Sequence, residues 1–129
     1  FGHAQDAIGA CNVALAASGT VTLETALLRR PMVIAYRLSP LTFAIARRLV
    51  KLPYVGLPNI LNGDWLVPEL LQDEATPENA AQAVVNLVRD AVVRERLDAR
   101  FAAIHATLRC DSAAQAARAL LPYLDHARA

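Results

Sequence analysis

Met32-Val-Ile-Ala-Tyr36 is an apolar run with no alternation. A strand exposed on one face alternates apolar and polar residues, whereas a strand covered on both faces does not. The run therefore predicts an inner strand of a parallel sheet, and parallel strands need helical crossovers. The flanking sequence supplies them. Residues 12–17 form a second short apolar run that ends at Ser18-Gly19, and Thr20 to Arg30 reads as a helix with Val21, Leu23, Leu27 and Leu28 apolar. Arg29 and Arg30 suit the negative end of that helix, and Pro31 stops it. Ser39-Pro40 opens another helix, a Ser cap with Pro at the first position, carrying Leu41, Ile45 and Leu49 and running to about Lys51.

Further along, Tyr54-Val-Gly-Leu57 reads as a third strand, Pro58-Asn59 as the start of a loop, and Val67–Asp73 as a short helix. Thr76-Pro77-Glu78 starts a helix that reaches about Asp90. Val93, Leu97, Phe101, Ile104 and Leu108 mark the next, and Ser112-x-x-Gln115 matches a capping box for the last. The fold class is α/β, a Rossmann-like parallel sheet with flanking helices and a helical C-terminus. Residues 1–75 form the α/β part and residues 76–129 the terminal helices. Three strands are few for a complete doubly wound domain, and the chain does not begin with Met, so it reads as a piece of something longer. Such a sheet has an open edge, expected to pair with itself as a homodimer or by a swap of elements.

Composition narrows the function. A length of 129 residues with 55% hydrophobic content supports one packed domain and excludes disorder. A net charge of +1 gives no field that would draw the chain to nucleic acid. Cys11 and Cys110 form neither a disulfide framework nor a metal spacing; they read as buried small apolar residues in a reducing cytosol. His3, His105 and His126 share no metal-like spacing, and His105 reads as a structural residue beside an apolar stripe. No apolar run reaches the ~18 residues of a membrane span, and the first residues are not a signal peptide.

Ligands of open α/β sheets gather beyond the carboxyl ends of the strands. Ser18-Gly19-Thr20 lies there, between the first strand and its helix, where unpaired N–H groups and the positive dipole end suit a phosphate. Glu24, one turn on, is placed to accept from sugar hydroxyls. The same residues also read as a plain capped helix with an exposed Glu. Arg37 ends the second strand and suits an anion, or a surface ion pair; Asn59 follows the expected third strand and suits a base edge, hydroxyl or phosphate, or a turn cap. The helix after Ser39 places Arg47, Arg48 and Lys51 beside Phe43, a pattern of an anionic membrane surface or of an ordinary packing helix with a charged face. Neither a G-x-G-x-x-G nor a G-x-x-x-x-G-K-[S/T] string is present, which argues against dinucleotide oxidoreductases and P-loop NTPases. Ser18 lacks the G-x-S-x-G elbow of a hydrolase.

Four strings together resemble a known family: Ala17-Ser-Gly-Thr-Val-Thr-Leu-Glu24, Pro31-Met-Val-Ile-Ala-Tyr-Arg37, Leu57-Pro-Asn-Ile-Leu61 and Val67-Pro-Glu-Leu-Leu-Gln72. In order and spacing they are similar to the C-terminal part of the lipid-A-disaccharide synthases, from about Gln5 to Leu124. The resemblance implies a partial C-terminal domain of a two-Rossmann-domain (GT-B type) glycosyltransferase. It implies inverting transfer of 2,3-diacylglucosamine from UDP to the 6-hydroxyl of 2,3-diacylglucosamine 1-phosphate, without a metal or other cofactor. The setting it implies is the cytoplasmic face of the inner membrane of Gram-negative bacteria, with the enzyme peripheral. On this chain Ser18, Gly19 and Thr20 would hold the diphosphate, Glu24 the ribose, Asn59 the donor and Arg37 the cleft wall. Phe43, Arg47, Arg48 and Lys51 would meet the membrane. The resemblance assigns Glu69 and Gln72 to a family motif without a role. The general base would belong to the N-terminal half, so the chain alone is expected to be inactive. Another UDP-sugar transferase or epimerase of this fold, or a non-catalytic membrane-surface module, are the competing readings.

Overall fold

The computed structural model describes residues 2–17, 19–40, 42, 43, 48 and 53–126. Three parallel strands, β1 (Ala14–Ala16), β2 (Met32–Tyr36) and β3 (Glu69–Leu71), lie in the order β1-β2-β3. Ala16 and Glu69 both pair with Ile34, and Leu71 pairs with Tyr36. A short helix α1 (Ala4–Ala10) precedes β1, and α2 (Thr20–Leu27) crosses from β1 to β2. The inner position of β2 matches its unbroken apolar run: Met32, Val33 and Ile34 are fully buried. Burial of each such side chain contributes roughly 1.5–3 kcal/mol.

The third strand is not where the sequence reading puts it. Tyr54–Leu57 forms no strand; the amides of Val55 and Gly56 donate to the Glu69 carboxylate instead of a ladder. Pro58, expected to open a loop, sits in the first turn of helix α3 (Leu57–Asn62), which Gly63 closes in the left-handed conformation at φ 74°. Val67–Asp73, expected to be helical, contains β3 and the start of one 3-10 turn (Gln72–Glu74). The exposed ladder of β2 captures this segment, as the Ile34 amide donating to the Pro68 carbonyl at 2.9 Å shows. Tertiary pairing overrides the local helical preference of Glu-Leu-Leu-Gln.

Helices α4 (Pro77–Arg89), α5 (Ala91–Leu108) and α6 (Ser112–His126) follow. Thr76 caps α4 by accepting from the Asn79 amide at 3.2 Å, and Asp90 caps α5 by accepting from Val93 at 2.9 Å. The cap of α6 is Asp111, which accepts from Ala114 at 3.0 Å, one residue before the expected Ser112. Leu97, Phe101 and Ile104 of α5 meet Ala26, β2, Val67 and Leu87 in one core. His105 is exposed on the outer side of α5; Cys110 is exposed and Cys11 half-buried, so neither cysteine is the core residue the sequence suggests. Leu120, Leu121 and Tyr123 of α6 are exposed, as is Leu15 on the β1 edge.

Candidate functional site

The carboxyl ends of β1 and β2 point to one edge of the sheet, as parallel pairing requires. After β1, Gly19 takes φ 133° and ψ −166° at the N-cap of α2. That backbone region is essentially closed to residues with a Cβ. Among the described residues no side chain caps the helix; the Thr22 hydroxyl turns back to the Gly19 carbonyl at 2.7 Å. Among the described residues, the Thr20 and Val21 amides have no partner. They stand at the positive end of the helix dipole, a geometry that accepts an anion. Glu24 lies one turn further, half-buried, and Ser18 lies outside the described residues.

Arg37 follows β2 on the same edge and is exposed. Its Nε donates to the Gln72 carbonyl at 3.0 Å. Gln72 follows β3 in the left-handed region, φ 52°. Its amide grips the next residue of the Arg37 segment from both sides: Oε1 accepts from the Leu38 amide at 2.6 Å and Nε2 donates to the Leu38 carbonyl at 3.2 Å. The sequence reading left Gln72 without a role. A polar residue immediately after the true third strand is the signal that marks it.

Asn59 is not at a strand end. It sits on α3, fully buried, with its side-chain amide saturated. Oδ1 accepts from the Leu66 and Val67 amides, both at 2.8 Å; Nδ2 donates to the Val67 carbonyl at 3.0 Å and to Glu69 Oε1 at 2.8 Å. Glu69 Oε1 also accepts from the Gly56 amide at 2.7 Å, and Oε2 from Val55 at 2.8 Å. Buried polar groups persist when each is paired, and these are. Asn59 and Glu69 thus fold the 54–69 connection and leave the Asn59 side chain no free polar atom for a ligand.

The Ser39 cap forms as expected, accepting from the Thr42 amide at 3.2 Å. Phe43 is half-buried and Arg48 exposed, while Arg47 and Lys51 lie outside the described residues. Among the described residues no helix is long and apolar enough to cross a membrane. A cavity of about 550 Å³ opens at the opposite end of the strands, by Asn12, Pro31, Arg30 and Arg94. There Arg29 holds Asp98 through two hydrogen bonds, which, with the attraction of the carboxylate, raise the guanidinium pKa above its usual value.

Fold and edge together define a Rossmann-like α/β unit, a fragment of the kind of sheet that two-domain glycosyltransferases carry. A sequence profile of the family described as lipid-A-disaccharide synthetase matches residues 2–120, and the chain belongs to that family. It is 53% identical over 125 residues to the lipid-A-disaccharide synthase of Dechloromonas aromatica, covering 97% of this chain and 33% of that protein. Identity to the Chromobacterium violaceum synthase is 52% over 121 residues, 94% of this chain and 31% of that one. Against the Pseudomonas putida (strain F1) synthase it is 54% over 123 residues, 95% and 32%. The chain spans about a third of the length of the curated relatives it matches.

Proposed function

We propose that this chain is the UDP-binding part of a lipid-A-disaccharide synthase. The complete enzyme transfers 2,3-diacylglucosamine from UDP to the 6-hydroxyl of 2,3-diacylglucosamine 1-phosphate, with inversion. The observation that carries the reading is that the Thr20 and Val21 amides, without a partner among the described residues, and Arg37 follow parallel neighbouring strands at one sheet edge, in a chain of this family. Ser18, Gly19 and Thr20 hold the diphosphate through main-chain amides, and the helix dipole offsets the charge that grows on it as the glycosidic bond breaks. This assigns the leaving group to backbone amides and Arg37, with no metal ion or other cofactor. Glu24 accepts from the ribose hydroxyls. Asn59 acts from behind, by shaping the connection that Glu69 also holds.

The helix after Ser39 meets the anionic inner membrane from the cytoplasmic side through Phe43, Arg47, Arg48 and Lys51. The general base and the acceptor site belong to the part of the enzyme that the relatives carry and this chain does not match. The isolated chain is therefore inactive, and its open β1 edge pairs with a second copy. Grafting the chain in place of the matching third of the Dechloromonas aromatica synthase tests the reading. The graft should form disaccharide from the UDP donor and the isolated chain should not. A folded graft without transfer, or turnover by the isolated chain, would contradict it.

A further inference from the structure

We infer that Gln72 is a positioning residue for the donor site, acting through Arg37. The inference rests on the nucleotide reading above and gives that site a second layer. Arg37 is on a segment that leaves the sheet after Tyr36, and an exposed guanidinium loses conformational freedom when it binds an anion. Gln72 removes part of that freedom beforehand. Its side chain pairs with both backbone groups of Leu38, and its own carbonyl takes the Arg37 Nε. The Nε bond leaves the two Nη groups with no partner among the described residues, available to a diphosphate. The left-handed backbone at Gln72 makes this possible, because it turns the carbonyl and the side chain of one residue toward the neighbouring strand end together. A non-glycine residue in that conformation is uncommon and carries strain, which the three hydrogen bonds offset.

Two variants separate this role from general stability. Q72L removes the Leu38 clamp and keeps the strained backbone; Q72G removes the clamp and relieves the positive φ, so an effect common to both belongs to the clamp. The first readout is hydrogen exchange at the Leu38 amide, followed by NMR with the Arg37 Nε–H resonance. Both variants should lose the Leu38 protection and shift the Nε–H signal. The second readout is UDP affinity in a double-mutant cycle with Arg37→Ala. Either Gln72 variant should weaken UDP binding roughly tenfold in the wild-type background, the scale of one charge-assisted hydrogen bond. In the Arg37→Ala background it should weaken binding no further, whereas a merely structural residue would cost the same in both. A Leu38 amide that stays protected in both variants overturns the proposal. UDP binding with additive losses overturns it while leaving the nucleotide reading intact. A wild-type chain with no UDP response in the same titration overturns the nucleotide reading and the proposal with it.

Discussion

Asn59 Nδ2 donates to Glu69 Oε1 at 2.8 Å, and both side chains are buried. The two residues come from neighbouring elements, α3 and β3, and the bond closes the connection between them. Around it, the same carboxylate takes two backbone amides and the same amide group takes three backbone groups. Every member satisfies another, so removing one strands several.

Asn59→Asp keeps the shape and replaces the donor by an acceptor. The new oxygen would face Glu69 Oε1 and the Val67 carbonyl with nothing to give them. We expect a loss of about 3 kcal/mol at neutral pH, measured by urea unfolding. Repulsion raises the carboxyl pKa of the folded variant above its unfolded value. Its stability should therefore fall as pH rises through that window, so the deficit at about pH 4 is smaller than at pH 7. A deficit independent of pH would show that the two carboxylates do not meet.

Gly56 has an ordinary φ of −72°, so its freedom is not what makes it glycine. A Cβ there would overlap Ile34 Cδ1 and lie 2.7 Å from Glu69 Oε1. Gly56→Ala should cost about 2 kcal/mol through overpacking. Gly9→Ala, in open space on α1, is the control and should be neutral or slightly stabilising. Equal thermal midpoints for the two variants would contradict the close approach.

Gly19 is the reverse case. Among the described residues nothing lies within 4 Å of where a Cβ would stand, yet its φ is 133°. Gly19→Ala should cost about 1–3 kcal/mol through the backbone alone. It should also weaken UDP binding by re-aiming the Thr20 and Val21 amides, while Gly56→Ala acts on stability first. An affinity unchanged in Gly19→Ala would remove that turn from the proposed diphosphate site.

What could be read in advance follows from locality. β2, the Ser39 and Thr76 caps and the helices after residue 76 rest on neighbours within a turn or on an unbroken apolar run. β3 rests on Ile34, far back in the chain, and Glu-Leu-Leu carries no β-branched residue to announce a strand. Tyr54–Leu57 reads as a strand from its apolar run, yet the Val55 and Gly56 amides pair with a carboxylate more than ten residues on. In the site, Gly19, Thr20 and Arg37 follow from strand direction alone once the sheet is known to be parallel. Asn59 and Gln72 do not, because their partners, backbone groups and for Asn59 also the Glu69 carboxylate, are brought close only by the folded connection.

The most direct measurement is a UDP titration followed by amide chemical shifts, on the wild-type chain and on Glu24→Ala. The account predicts shifts clustered at Gly19, Thr20, Val21, Glu24 and Arg37, with weaker binding in the variant. Shifts gathered instead at Asn12, Arg30 and Arg94, by the cavity at the opposite end of the strands, or no response from a folded chain, would contradict it.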